Sequence, residues 1–303
     1  YFQGRKDLFK GLAIDELETE WAEYPVFHID FNGSNFTKPH VLEEVIEKFL
    51  SDQEEIYGRN LNSQDTGSRF KDILKAAHRK TGKRAVVLID EYDKPMLDVL
   101  DTGISTTIDG ENRLLEEQHR NILKGFYSVF KSADANLQFV LLTGVTKFSQ
   151  VSVFSGFNQP DDISMSRDYE ALCGITETEL HHHFKEPIKE MAEVYHCTEE
   201  AMKERLKRQY DGYHFGYRMT DIYNPFSILN AFSKMQIGDY WFRSGTPTYL
   251  IRLMTHTNEN LNDLTGKYYD PSQFVDYKAD VEKPLPMIYQ SGYFTIKDCD
   301  LDM

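Results

Sequence analysis

The sequence predicts an α/β core with a mainly parallel sheet, followed by a mostly helical half. Three observations lead there. Short β-rich runs at 24–31, 84–91 and 137–145 alternate with segments of helical periodicity, the pattern of strands joined by crossover helices. The second and third runs have continuously apolar centres, VVLI and FVLL, which predicts strands buried on both faces of a helix-covered sheet. After about Gly174 the strand-like runs give way to helical patterns. The expected division is a core over 1–175 and a helical domain with a connector over 176–303.

The elements follow in order. YPVFHIDF, 24–31, is a strand that ends in an acid, Asp30. From 39 to 57, Val41, Leu42, Val45, Ile46, Phe49 and Leu50 recur at helical spacing, and a second helix is expected over 67–80. RAVVLIDE is the next strand. The turn-rich stretch 98–112 is expected to be a mobile loop, and a long helix should follow over 113–133. LQFVLLTGV is the third strand. Thr176 to Glu179 has the spacing of a capping box, with two helices expected up to Tyr210. Asn224 followed by Pro225 is a strong helix start. PLPMIYQSGYFTI should form a turn and a strand.

Composition bounds the function. The chain has 303 residues and a net charge of −15, from 49 acidic and 34 basic side chains. That argues against a broad footprint on a phosphate backbone, though a small nucleotide with its own Mg²⁺ needs only a local site. Three distant cysteines with no Cys-x-x-Cys spacing read as reduced, buried thiols of a cytoplasmic protein. No apolar run approaches the roughly 20 residues of a membrane span.

The chemistry is concentrated in AVVLIDEYDKPM. An apolar strand delivers Asp90 and Glu91 to its carboxyl end, where open parallel sheets bind ligands. Buried carboxylates need compensation, and this is the arrangement of a Walker B pair. Asp90 would hold Mg²⁺ and Glu91 would orient the attacking water of a phosphoryl transfer. The bland alternative is a strand ending in a solvated turn. The next strand runs into Thr143, Gly144 and Lys147. Thr143 fits a contact with the γ-phosphate or the water, and Lys147 could reach phosphate as a point charge. A glycine-containing turn with a solvated lysine is the alternative, and for Lys147 it carries the greater weight. The sequence contains no G-x-x-x-x-G-K-[ST]: TGKR at 81–84 lacks the first glycine and precedes a strand, and TGKYY at 265–269 fails similarly. His181, His182 and His183 are consecutive, so on a helix they cannot converge on one ion. Tyr240, Trp241, Phe242 and Tyr249 are expected to pack a helical core.

The succession LIDEYDKPM, LLTGVTKFSQVSVFSGFNQPDDIS, LCGITETEL, YDGYHFG, IYNPFSILNAF and YWFRSGTPTYL resembles the bacterial predicted AAA-ATPase-like family over nearly the whole chain. The resemblance implies a P-loop-type ATPase core with a helical lid, ATP and Mg²⁺ as ligands, and self-association as a possible partner interaction. Asp90 and Glu91 match the acidic pair and Thr143 the sensor-like position. Pro225 or His214 is placed where lids of related ATPases touch adenine, although a helix-start proline and a turn histidine are the commoner readings of each. Family members typically carry an upstream P-loop, and many a nuclease-like C-terminal domain through which nucleic acid would be met. The initial Tyr-Phe-Gln-Gly matches the tail of a cleavable tag. It continues without a break into the family-like RKDLFKGL, and is read as the far end of the helix after the P-loop. The expectation is an ATPase in the full protein, with a stretch lacking the P-loop behaving as a binding or regulatory module without turnover.

Overall fold

Three parallel strands form the centre of the larger of two compact units in the computed structural model. The structure describes residues 1–108, 110–146, 160–243, 251–252, 254–255, 261–275 and 284–300. One unit takes in residues 1–159 and 248–291, the other 160–247 and 292–303.

In the first unit β1 (Val26–Asp30), β2 (Ala85–Asp90) and β5 (Leu137–Leu142) lie side by side in that order, all parallel. Helices supply the crossovers that parallel pairing requires. A short helix, α1 (Ala13–Leu17), precedes β1, and between β1 and β2 run α2 (Val41–Tyr57) and α3 (Thr66–Thr81). Asp65 caps α3 by accepting from the Ser68 N–H at 2.9 Å, and Gly82, at φ +69°, ends it in the left-handed conformation that favours glycine. Between β2 and β5 run α4 (Lys94–Leu97), α5 (Leu115–Tyr127) and α6 (Val129–Ser132).

Strand alternation sorts the sheet into two faces. Phe27 and Ile29 of β1 are in register with Val87 and Ile89 of β2, and those with Val140 and Leu142 of β5. This face meets the aromatic core: Phe70 stacks on Phe126 at 5.3 Å and meets Phe27 edge-on at 5.9 Å. Truncating Phe70, which is fully buried, is worth about 3–5 kcal/mol. The other face carries the row His28, Leu88 and Leu141, none of them fully buried.

Several expectations are corrected. The third strand is not buried on both faces: Phe139 and Leu141 are 41% and 37% exposed on the open face, where the Phe2 ring lies 5.3 Å from that of Phe139. The stretch 98–112 is loop only in part, over 98–104. From Ser105 it enters a hairpin of β3 (Ser105–Ile108) and β4 (Glu111–Leu114), with Gly110 at φ +83° in the turn between two β-prone segments. The expected long helix is accordingly shorter and breaks at Ser128. Leu285–Gln290 is a buried helix with proline in its first turn, and no strand follows it among the described residues. Tyr1–Gly4 is not helical. Gln3 bridges Glu23, and Gly4, at φ +68°, passes so close to the backbone that a Cβ would lie 3.0 Å from the Trp21 carbonyl. The three cysteines are free but not buried.

In the second unit α7 (Glu177–His183), α8 (Lys185–Val194), α9 (Glu199–Tyr210) and α10 (Pro225–Lys234) surround a core of Leu180, Met191, Met202, Leu206, Tyr223 and Ile228. The Thr176–Glu179 capping box forms in both directions, and Asn224 caps α10 through the Ser227 N–H. Tyr240 joins this core and Trp241 packs against Tyr293 at 4.7 Å, while Tyr249 and the Phe242 side chain lie outside the described residues. No helix among the described residues is long and apolar enough to cross a membrane.

Candidate functional site

The carboxyl ends of the three strands bring Asp30, Asp90, Glu91 and Thr143 together. Asp30 and Asp90 sit opposite each other in the β1–β2 register, the next positions after His28 and Leu88 on the open face. One residue beyond the β5 ladder, the Thr143 N–H donates to the Ile89 carbonyl at 2.9 Å. Its hydroxyl donates to Asp90 Oδ1. The same oxygen accepts from the Glu91 N–H at 3.1 Å, which leaves Oδ2 of this exposed carboxylate available.

Glu91 leaves the strand with φ +52°, a left-handed conformation that costs a non-glycine residue free energy. The turn directs the chain into α4 and leaves the Glu91 carboxylate half-buried. Burial raises its pKa above the ordinary carboxylate value, and the neighbouring Asp90 charge adds to the rise while Lys94 opposes it. A half-desolvated carboxylate with raised basicity has the character of a general base.

Sequence reasoning missed Asp93. It stands at the N-cap position of α4, before Lys94-Pro95, yet its side chain makes no capping bond. The carboxylate is fully buried and turns instead to the segment after β5, accepting from the Val145 N–H at 3.2 Å, the Thr146 N–H at 2.6 Å and the Thr146 hydroxyl at 2.9 Å. Burial pushes its pKa up to about 6 against the opposing pull of these Thr146 hydrogen bonds. Tyr92 adds two clamps, its N–H to the Thr143 carbonyl at 3.0 Å and its hydroxyl to the Thr146 carbonyl at 2.6 Å. Gly144 is required by this closeness, because a Cβ there would come within 2.8 Å of the Tyr92 ring. Asp-Glu-Tyr-Asp thus holds Thr143 in place. The only sequence signal was a second aspartate three residues after the first.

The remaining expected residues stand as follows. Lys147 lies outside the described residues. Pro225 opens α10 at its first position, half-buried. His214 is buried, with Nδ1 2.7 Å from the Ile296 carbonyl and Nε2 2.6 Å from Asp221 Oδ1, so both ring nitrogens are engaged. Glu170 organises the same loop by accepting from the Arg218 and Thr220 N–H groups. No group of three or more His, Cys, Asp or Glu side chains among the described residues is set to hold a metal ion by itself.

A parallel α/β sheet with carboxylates and a threonine at its strand ends defines a class of protein: its architecture is compatible with a P-loop-like ATPase core. The particular family follows from comparison. The predicted AAA-ATPase family matches residues 1–154, and the chain belongs to it. It is also 32% identical over 296 residues to an "Uncharacterized protein in vnfD 5'region" of Azotobacter chroococcum mcd 1, a match that covers 97% of this chain. The chain spans about half, 53%, of that relative's length. No solved structure matches.

Proposed function

We propose that the carboxyl end of the β1–β2–β5 sheet is an ATP-hydrolysing site, with Asp90 and Glu91 as a Walker B pair. The observation that carries this is the convergence of Asp90, Glu91 and Thr143 at the ends of adjacent parallel strands, through the Thr143–Asp90 hydrogen bond. Family membership supports the ATPase-like reading.

The residues fit a Mg²⁺ ion held through water. Asp90 has one oxygen uncommitted, Asp30 is its neighbour across the strand pair, and no all-protein cage is present among the described residues, which suits a cation that keeps most of its waters. Mg²⁺ would neutralise phosphate charge there. Glu91 orients the attacking water and draws on its proton, its basicity raised by burial. Thr143 has one hydroxyl proton, which either holds Asp90 or turns to the γ-phosphate, and its oxygen can accept from the water. Lys147 is proposed as a further phosphate contact.

The helical unit is proposed as a lid whose movement follows nucleotide state. Pro225 is the candidate to touch adenine. His214, with both nitrogens taken, ties its own loop to Ile296 and Asp221. Binding of ATP to the full-length protein, titrated with and without Mg²⁺, tests the proposal. ATP affinity should rise with Mg²⁺, and Asp90→Asn should lose most of that rise. Equal affinity with and without Mg²⁺ in the wild type would count against the assignment of Asp90, and no ATP binding at all would remove the ATPase reading.

A further inference from the structure

The first unit carries a second concentration of charge, of opposite sign, at the other end of its sheet. Residues 66–84 contain seven Lys and Arg and a single acid, Asp72, in a chain of net charge −15. Lys71, Lys75 and Arg79 follow one another at four-residue spacing, so they line one face of α3. A cleft of about 600 Å³ opens between this face, the end of α2 and Asn136, the residue before β5. That size is within the range of small-ligand sites.

The lining is net positive: Arg59, Lys75 and Arg79 stand against one carboxylate, Asp72, which feels the charge of Lys75. Asp72 Oδ2 accepts from Asn60 Nδ2 at 2.7 Å and from the Ser63 hydroxyl at 2.6 Å, which braces the turn after α2. Glu54, behind the cleft, is bound by Arg69 at 2.8 Å and by Arg59 at 3.0 Å. Lys75 and Arg79 have no ion-pair partner among the described residues, although they are like charges one helical turn apart. Such a pair repels itself and gains most from an anion that both can reach. Asn136 is oriented through its amide oxygen, 3.1 Å from His78 Nδ1. The Tyr57 ring supplies an apolar wall, fixed by Phe27 at 5.5 Å and by Lys80 at 5.6 Å over its face.

We propose that this cleft binds a small phosphate-bearing molecule of about mononucleotide size, with Lys75 and Arg79 on the phosphate and Tyr57 against the body of the ligand. The site is separate from the carboxyl end of the sheet and does not depend on what is hydrolysed there.

Calorimetric titration with inorganic pyrophosphate in Mg²⁺-free buffer tests the proposal on the wild-type chain and on Lys75→Glu/Arg79→Glu. The double variant should bind about tenfold more weakly or worse, since two charge-assisted contacts become repulsions. Lys75→Arg should bind as the wild type does. Both positions are exposed, and Lys75→Ala and Arg79→Ala provide milder single losses should the double variant fail to fold. Unchanged pyrophosphate affinity in the charge-reversed protein would overturn the proposal. A short single-stranded oligonucleotide forms the second arm. If it alone binds, in a Lys75- and Arg79-dependent way, the surface is a nucleic-acid face and the small-molecule site is wrong.

Discussion

The two ends of one parallel sheet are built by different means. At the carboxyl end Asp30, Asp90 and Glu91 are delivered by strands, fixed by a left-handed turn at Glu91, and tied to the neighbouring strand by Thr143 and the buried Asp93. At the amino end Arg59, Lys75 and Arg79 come from helix surfaces and a turn, exposed to water. The first arrangement stores strain and desolvation in a few groups, which is what positioned chemistry requires. The second spends little on position and offers charge over an open cleft. Substitutions at the carboxyl end should therefore trade stability against activity, whereas those lining the amino-end cleft should change binding with little change in stability.

The largest expected effect lies behind the amino end. Arg69 is 4% exposed and bridges α3 to Glu47 and Glu54 of α2. Arg69→Ala leaves Glu54 buried beside Arg59 alone and should cost about 3–5 kcal/mol in denaturant unfolding. Arg79→Ala, one helix face away, should change stability by about 0.5 kcal/mol or less. Equal losses would erase the distinction between a buried brace and an exposed cleft wall.

Asp93 comes next. Asp93→Ala orphans two backbone N–H groups and the Thr146 hydroxyl and should cost about 3 kcal/mol. Its pH signature has a definite sign. The folded pKa of about 6 lies above the unfolded 3.8, so the folded state holds the proton more tightly. The contribution of this group to stability is then fully present below about pH 4 and is lost as pH rises towards 6. Asp93→Asn should flatten that part of the stability profile. A variant that keeps the same slope between those pH values would assign the titration to another group.

Smaller effects separate position from strain. Thr143→Val removes the hydrogen bond to Asp90 from an exposed strand end, and should slow hydrolysis about tenfold while costing about 1 kcal/mol or less. Glu91→Gly relieves the positive φ and should leave the protein unchanged or up to about 1 kcal/mol more stable, with hydrolysis lost. A clear loss of stability in Glu91→Gly would show that the turn is not strained.

How much of this could be read from the chain depended on distance along it. The parallel strands, the acids at their ends, the Thr176 capping box and the Asn224 cap are all written in runs of a dozen residues or fewer, where periodicity and turn chemistry suffice. Asp93 was not legible because its partners, Val145 and Thr146, lie more than 50 residues away, and locally it looks like an ordinary helix cap. The exposure of Phe139 and Leu141 was illegible for a related reason. Apolar runs mark strands, but whether each face is covered depends on what packs there. The hairpin at 105–114 was legible in principle, from Asp109-Gly110 between β-prone segments, but the density of turn residues around it reads as loop. Likewise the cleft cations were visible as composition, and only the fold gathers them beside Tyr57 and Asn136.

Phosphate release by full-length Glu91→Gln, measured beside its ATP affinity, tests the central claim most directly. The carboxyl-end assignment predicts ATP affinity within about twofold of the wild type and hydrolysis slowed by about 100-fold or more, the expected loss of a general base. Hydrolysis at the wild-type rate with Glu91 replaced would contradict it.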